Sequence, residues 1–131
     1  MFTNEIKSKC DDLSNIIIGC AIEVHKNLGP GLIESAYETC LCYELLKAGV
    51  NYQRQLELPL IYKDIKVPNA YRLDILVENL VIVELKAVDE IPNIFRAKLK
   101  TYLKLSDKWL GLLLNFNVVL MKNGIERIVW G

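Results

Sequence analysis

The sequence predicts a mixed α/β fold, with two N-terminal helices ahead of a mixed central β-sheet that one further helix interrupts. Three observations predict it. Apolar residues recur at helical spacing through the first third of the chain. From Tyr52 onward, runs rich in β-branched residues are punctuated by turn-forming residues. Helical spacing then returns once, between Pro92 and Leu105, before the last strands. With 131 residues, no internal repeat and no linker-like stretch, residues 1–131 read as a single domain.

The first helix is expected from about Asn4 to Asn27, where Ile6, Cys10, Leu13, Ile17, Cys20, Ala21, Val24 and Leu28 fall on one face. Gly29 suits a C-terminal cap, and Pro30 cannot continue the same helix. A second helix is expected from about Leu32 to Ala48, ended by Gly49. Tyr52 to Leu58 and Leu60 to Tyr62 read as extended, Lys63-Asp64 as a turn, and Val67-Pro68-Asn69 as another break. Tyr71 to Ala87, YRLDILVENLVIVELKA, reads as a hairpin turning at Glu78-Asn79. A helix from about Asn93 to Leu105 follows, with Phe95, Leu99, Tyr102 and Leu103 as its apolar stripe. Trp109 to Phe116 is an apolar strand. Val118 to Trp130 reads as a second hairpin around Asn123-Gly124.

Composition excludes several classes. Lys plus Arg and Asp plus Glu number 16 each, so there is no global basic field, and any nucleic-acid contact must come from a local patch or from metal ions. Cys10, Cys20, Cys40 and Cys42 form no CxxC pair and only His25 is available, which argues against zinc. The cysteines read instead as small buried hydrophobes in a reducing, cytoplasmic setting. No segment reads as a signal peptide or a membrane span, so no membrane partner is expected.

The central hairpin breaks the ordinary pattern. Alternation puts Glu84 and Lys86 on one face with Leu80 and Ile82, in a strand that is apolar on both sides, and Asp74 stands among Leu73, Ile75 and Leu76. Charged groups are rarely buried without partners or a metal. A magnesium ion takes hard oxygen ligands, which Asp74, Glu84 and the backbone carbonyl of Leu85 can supply. Lys86 is suited to orient or deprotonate a water, or to steady charge on a phosphate. Turn parity constrains this arrangement. A strict two-residue turn at Glu78-Asn79 would set Asp74 opposite Val83, so an odd-length turn or a bulge is required to bring it beside Glu84.

Asp74 followed by Glu84-Leu85-Lys86 resembles the PD-(D/E)xK nuclease signature of the restriction-endonuclease-like fold. Gly31-Leu32-Ile33-Glu34-Ser35-Ala36-Tyr37 matches the GxxExxY pattern that names a family of small proteins in that superfamily. Glu23 to Pro30, Tyr71 to Asp74, Val81 to Ala87 and Gly111 to Phe116 are also similar to that family. The resemblance implies a restriction-endonuclease-like core and a Mg²⁺-dependent nuclease (Mn²⁺ being the alternative ion), acting on DNA rather than RNA. It implies Asp74 and Glu84 as metal ligands, Lys86 as the catalytic lysine, and Glu34 as a helix-borne acid joining metal and catalysis. The following helix commonly carries a glutamine in an AQLxxY pattern. Here the run is Ala97-Lys98-Leu99-Lys100-Thr101-Tyr102, which sets Lys98 and Tyr102 at the substrate side with a lysine that cannot accept a hydrogen bond.

Each residue also has an ordinary reading. Glu34 can be a first-turn helix acid. Tyr37 is expected to pack and His25 to be structural. The stripe Arg96, Lys100 and Lys104 is a solvated face, or a phosphate contact because it follows the motif strand. Asp74, Glu84 and Lys86 can form a buried structural ion cluster. Two other functions stand beside nuclease: a non-catalytic nucleic-acid-binding or protein-interaction module, and a structural subunit. A chain this small offers little surface to a duplex, which makes a homodimer a natural partner arrangement.

Overall fold

The computed structural model describes residues 1–131. Two helices, α1 (Asn4–Leu28) and α2 (Glu34–Lys47), precede β1 (Tyr52–Tyr62), β2 (Ile65–Val77) and β3 (Val81–Lys86). Helix α3 (Asn93–Ser106), strand β4 (Leu110–Asn115), a 3₁₀ turn (Met121–Gly124) and β5 (Ile125–Val129) complete the chain. The sheet order follows the chain, β1-β2-β3-β4-β5. Every neighbouring pair is antiparallel except β3 and β4, which run parallel with α3 as their crossover. The chain is therefore a mixed α+β fold, as the element order predicts.

The sheet is covered on both faces. Ile17, Ala21, Tyr37, Leu41 and Leu45 of α1 and α2 pack on Val81, Val83, Leu85, Leu112 and Leu114, forming the larger core. Leu99 and Leu103 of α3 pack on Leu73, Leu76, Ile82 and Leu113, forming the smaller one. Burial on both faces explains why β3 and β4 read as unbroken apolar runs. Helix α3 lies close on β4: a Cβ at Gly111 would come within 2.9 Å of the Leu99 side chain.

Helix starts and ends agree with the sequence expectation to within a residue or two, which is the usual uncertainty of such boundaries. Three local readings do not survive. Val67-Pro68-Asn69 does not break a strand, because β2 runs continuously from Ile65. The irregularity is a bulge instead. Leu58 pairs with Tyr71 and Leu60 with Val67, so residues 68–70 stand opposite Pro59 alone, and Asn69 takes a positive φ of 51°. Asn123-Gly124 is not a two-residue hairpin turn either. It closes a 3₁₀ turn, and β5 pairs with β4 across a longer connection. Gly124 is required by proximity: a Cβ there would lie 2.1 Å from the Asn115 carbonyl oxygen. Leu80, finally, does not share the face of Glu84. It belongs to the loop before β3 and packs against the larger core.

The irregularity that turn parity requires is present. Val77 pairs with Val81, leaving Glu78, Asn79 and Leu80 as an odd-length loop, with φ of 51° and 55° at its first two residues. The pairs Leu76–Ile82 and Ile75–Val83 extend that register to bring Asp74 level with Glu84. A second irregularity does not follow from turn parity. Leu73 lies in the smaller core but Ile75 in the larger, although residues two apart on a regular strand share a face. The inside-outside alternation therefore flips at Asp74. It flips on β1 as well, between Tyr52 on the larger core and Leu56 on the smaller, where Gln55 has φ 49° and drops out of the ladder.

Candidate functional site

The ladder between β2 and β3 ends at Ile75–Val83, and two carboxylates take over where it stops. The Asp74 backbone N–H donates to Glu84 Oε2 at 2.8 Å, and the Leu85 N–H donates to Asp74 Oδ2 at 2.9 Å. Each acid thus caps the opposite strand with one oxygen. The other oxygens, Asp74 Oδ1 and Glu84 Oε1, carry no hydrogen bond from the protein. The N–H and C=O of one strand residue point toward the same neighbour, so the Leu85 carbonyl is also directed into this gap.

Electrostatics mark Glu84 as the anomalous group. It is buried, and desolvation followed by the charge of Asp74 pushes its carboxyl up to about 8. The Asp74 N–H, Lys86 and Lys98 act in the opposite direction and do not compensate. Lys86 makes no ion pair with Glu84; its ammonium rests on the face of the Phe95 ring, 4.4 Å from the centroid. Lys98 lies 5.6 Å from the Tyr102 centroid, and that ring packs on Tyr71 with centroids 5.2 Å apart. Glu84, Lys86, Lys98 and Tyr102 therefore belong to the α3 side of the sheet.

Asp74 opens on a polar depression of about 350 Å³ lined by Glu34, Ser35, Glu38, Gln55, Arg72, Asp74 and Leu85. Glu34 is exposed at the first position of α2, where the helix dipole favours an acid. The GxxExxY segment explains how it is held there. Tyr37 is fully buried and stacks on Phe116 at 4.6 Å. Its hydroxyl donates to the Gly29 carbonyl at 2.6 Å and accepts from the Leu32 N–H at 3.1 Å, clamping the turn that delivers Glu34. Glu34 borders the depression without closing a side-chain cluster: no three acids, histidines or cysteines stand together as a cation site. The oxygen donors that do face one another are Asp74 and Glu84.

Arg96 is engaged within the protein. Its guanidinium grips Glu126 of β5 through two bonds of 2.6 and 2.7 Å and also bonds Asn93 and the Ile91 carbonyl. Lys100 is exposed on α3 and engaged by no acid. His25 is structural, with Nε2 2.7 Å from the Val118 carbonyl.

Two features had little or no sequence signal. Glu38, buried one turn after Glu34, accepts two bonds from Arg54 and one from Gln55. The spacing of four along a helix was its one available clue. Asn115, level with Lys86, latches the segment after β3: its amide donates to the Val88 carbonyl at 2.8 Å and its oxygen accepts from the Val88 N–H at 3.1 Å. The Phe116 N–H donates to the Lys86 carbonyl at 2.9 Å, fixing the backbone that carries the lysine.

A family model described as the PD-(D/E)XK nuclease superfamily matches residues 11–128. The chain belongs to this superfamily. Asp74 and Glu84-Leu85-Lys86 spell the D and ExK letters of that description, with Leu73 in place of its proline. The five-stranded mixed sheet with helices on both faces accords with a restriction-endonuclease-like fold. No curated protein and no solved structure gives a significant match. No helix is long and apolar enough to cross a membrane.

Proposed function

We propose that this protein is a divalent-metal-dependent hydrolase of phosphodiester bonds in nucleic acid, with DNA as its substrate and Mg²⁺ or Mn²⁺ as its ion. The observation that carries the reading is the Asp74–Glu84 pair. Two acids meet where a strand ladder ends, each fixed by one backbone N–H and each keeping one oxygen free of protein hydrogen bonds. Their donors are hard oxygens, which suits Mg²⁺ or Mn²⁺. Burial leaves Glu84 in want of positive charge, and a cation would supply it.

In this reading Asp74, Glu84 and the Leu85 carbonyl would hold a divalent ion, whose chemistry there would be Lewis-acid polarisation of a phosphoryl oxygen and a lowered pKa of water. Lys86, steadied by the Phe95 ring and by the latched backbone around Asn115, stabilises charge developing on the phosphate or orients the attacking water. Glu34 acts from the rim of the depression. Lys98, Lys100 and Tyr102 of α3 line up the nucleic-acid strand beside Lys86, while Arg96 holds α3 to β5. Incubating the protein with single- and double-stranded DNA and with RNA, with and without Mn²⁺, tests this. Cleavage should require metal and should vanish in Lys86→Ala at an unchanged circular dichroism spectrum. Cleavage that survives that substitution would remove Lys86 from the mechanism.

Two observations favour a second reading. Lys98 occupies the position where relatives of the proposed kind carry a glutamine, and the formal net charge is +0. A module that binds nucleic acid without cutting it would show salt-sensitive binding, no turnover and no Mn²⁺ affinity at millimolar metal.

A further inference from the structure

The second wall of the site is built around a glutamine whose hydrogen bonds are dictated by chemistry. Gln55 Nε2 donates to Glu38 Oε1 at 2.7 Å, while Arg54 occupies Glu38 Oε2 through bonds of 3.1 and 2.9 Å. A carboxylate so held only accepts, so Gln55 must turn its NH₂ group toward it. The amide carbonyl, Oε1, is left with no protein partner, in a residue that lines the same depression as Asp74. The backbone has been bent to achieve this. Gln55 stands level with Asp74 in the β1–β2 register, yet it leaves the ladder with φ 49°, a left-handed conformation that non-glycine residues adopt at a cost. Both strands reverse their inside-outside alternation at this level.

The geometry points to Gln55 as a positioning residue of the hydrolytic site, with Glu38 as the group that sets its polarity. The Gln55 carbonyl accepts a hydrogen bond from the water that attacks the phosphodiester on the Asp74 side. The water oxygen forms the new bond to phosphorus, the bond from phosphorus to the leaving sugar oxygen breaks, and the water's proton passes to that oxygen or to solvent. This inference rests on the hydrolase reading above, and it gives the site a neutral acceptor on β1 while α3 presents Lys98.

Glu38→Gln tests it by reversing the amide. The substituted side chain can still accept from Arg54 with its carbonyl, but its NH₂ group now donates to Gln55, which must rotate to show its own NH₂ to the depression. The number of bonds is preserved, and only the one to Gln55 changes direction. With wild type cleaving DNA in Mn²⁺, the variant should lose roughly ten- to a hundredfold in kcat with KM little changed. The Gln55 side-chain NH₂ resonances should shift in a ¹⁵N–¹H spectrum of the metal-free protein, a readout independent of turnover. Gln55→Met leaves the Glu38–Arg54 pair in place and removes the acceptor, so it should show the same kcat loss even if Glu38→Gln lowers the melting temperature. Wild-type kcat in a folded Gln55→Met protein would overturn the inference and leave the hydrolase reading standing. A wild type that cleaves no nucleic acid with either metal would overturn both.

Discussion

Two glutamates lie in one row across the sheet and have opposite electrostatic fates. Glu84 of β3 is level with Leu113 of β4, and Leu113 is level with Glu126 of β5. Glu126 is gripped by Arg96, and the hydrogen bond from that guanidinium holds its carboxyl below the ordinary carboxylate range. Glu84 is more deeply buried, faces a second acid, and has no ion pair although Lys86 and Lys98 are near. The same helix, α3, supplies the cation in one case and withholds it in the other. Glu126 is neutralised within the fold, whereas Glu84 is left without an ion pair. This distinguishes the two more sharply than burial alone.

Removing each negative charge in turn should separate the two glutamates most. Glu84→Gln should abolish detectable cleavage and weaken Mn²⁺ binding by no less than the roughly 10- to 100-fold that loss of an outer-shell metal partner costs, as read by calorimetric titration. Glu126→Gln should leave Mn²⁺ affinity within about twofold, because screening confines its charge to its own pair. Equal losses in the two variants would erase the distinction.

Stability against pH gives the next largest contrast, with the two acids sloping in opposite directions. Folding raises the Glu84 pKa, so the native state binds the extra proton and metal-free stability falls as pH climbs from about 4.5 to about 8. Glu84→Gln should therefore be the more stable protein at pH 8, by on the order of a few kcal/mol, and the gap should close toward pH 4.5. Glu126 has the opposite sign. Its pKa is depressed, so its contribution is present above about 4.5 and is lost as pH falls through the lowered value. Chemical denaturation across this range checks both. Over the same window, Mn²⁺ affinity should rise with pH, since the ion competes with the proton on Glu84.

Lys98→Gln should have a milder effect. It removes one of the two cations near Glu84, and Mn²⁺ affinity should improve by roughly fivefold at most. The smallest effect is expected for Arg96→Ala, which frees Glu126 at a partly exposed site. It should lower the melting temperature slightly while cleavage stays near wild type. A large loss of activity there would return Arg96 to the substrate surface.

Much of the candidate site's framework is legible in the residues themselves. The apolar run around Glu84-Leu85-Lys86 marks a buried strand with misplaced charge, and the parity of residues 74 to 84 requires an odd loop, which is Glu78-Asn79-Leu80. Turn signals are less dependable. Pro68-Asn69 and Asn123-Gly124 have strong local preferences, but the first sits in a bulge and the second under the Asn115 carbonyl. Whether a turn residue ends a strand depends on what packs beside it.

The helical and extended segments, and the strand that buries a charged residue, follow from the sequence, because periodicity and turn parity are properties of a few consecutive residues. The tertiary structure alone decided which charges are neutralised. Arg96 meets Glu126 thirty residues away, and Arg54 meets Glu38 sixteen away. Gln55 turns its amide toward a helix that precedes it in the chain, and Glu84 forms no ion pair although Lys86 and Lys98 act on it. Pairings of this kind depend on how α2 and α3 are set against the sheet, which no local window of residues encodes.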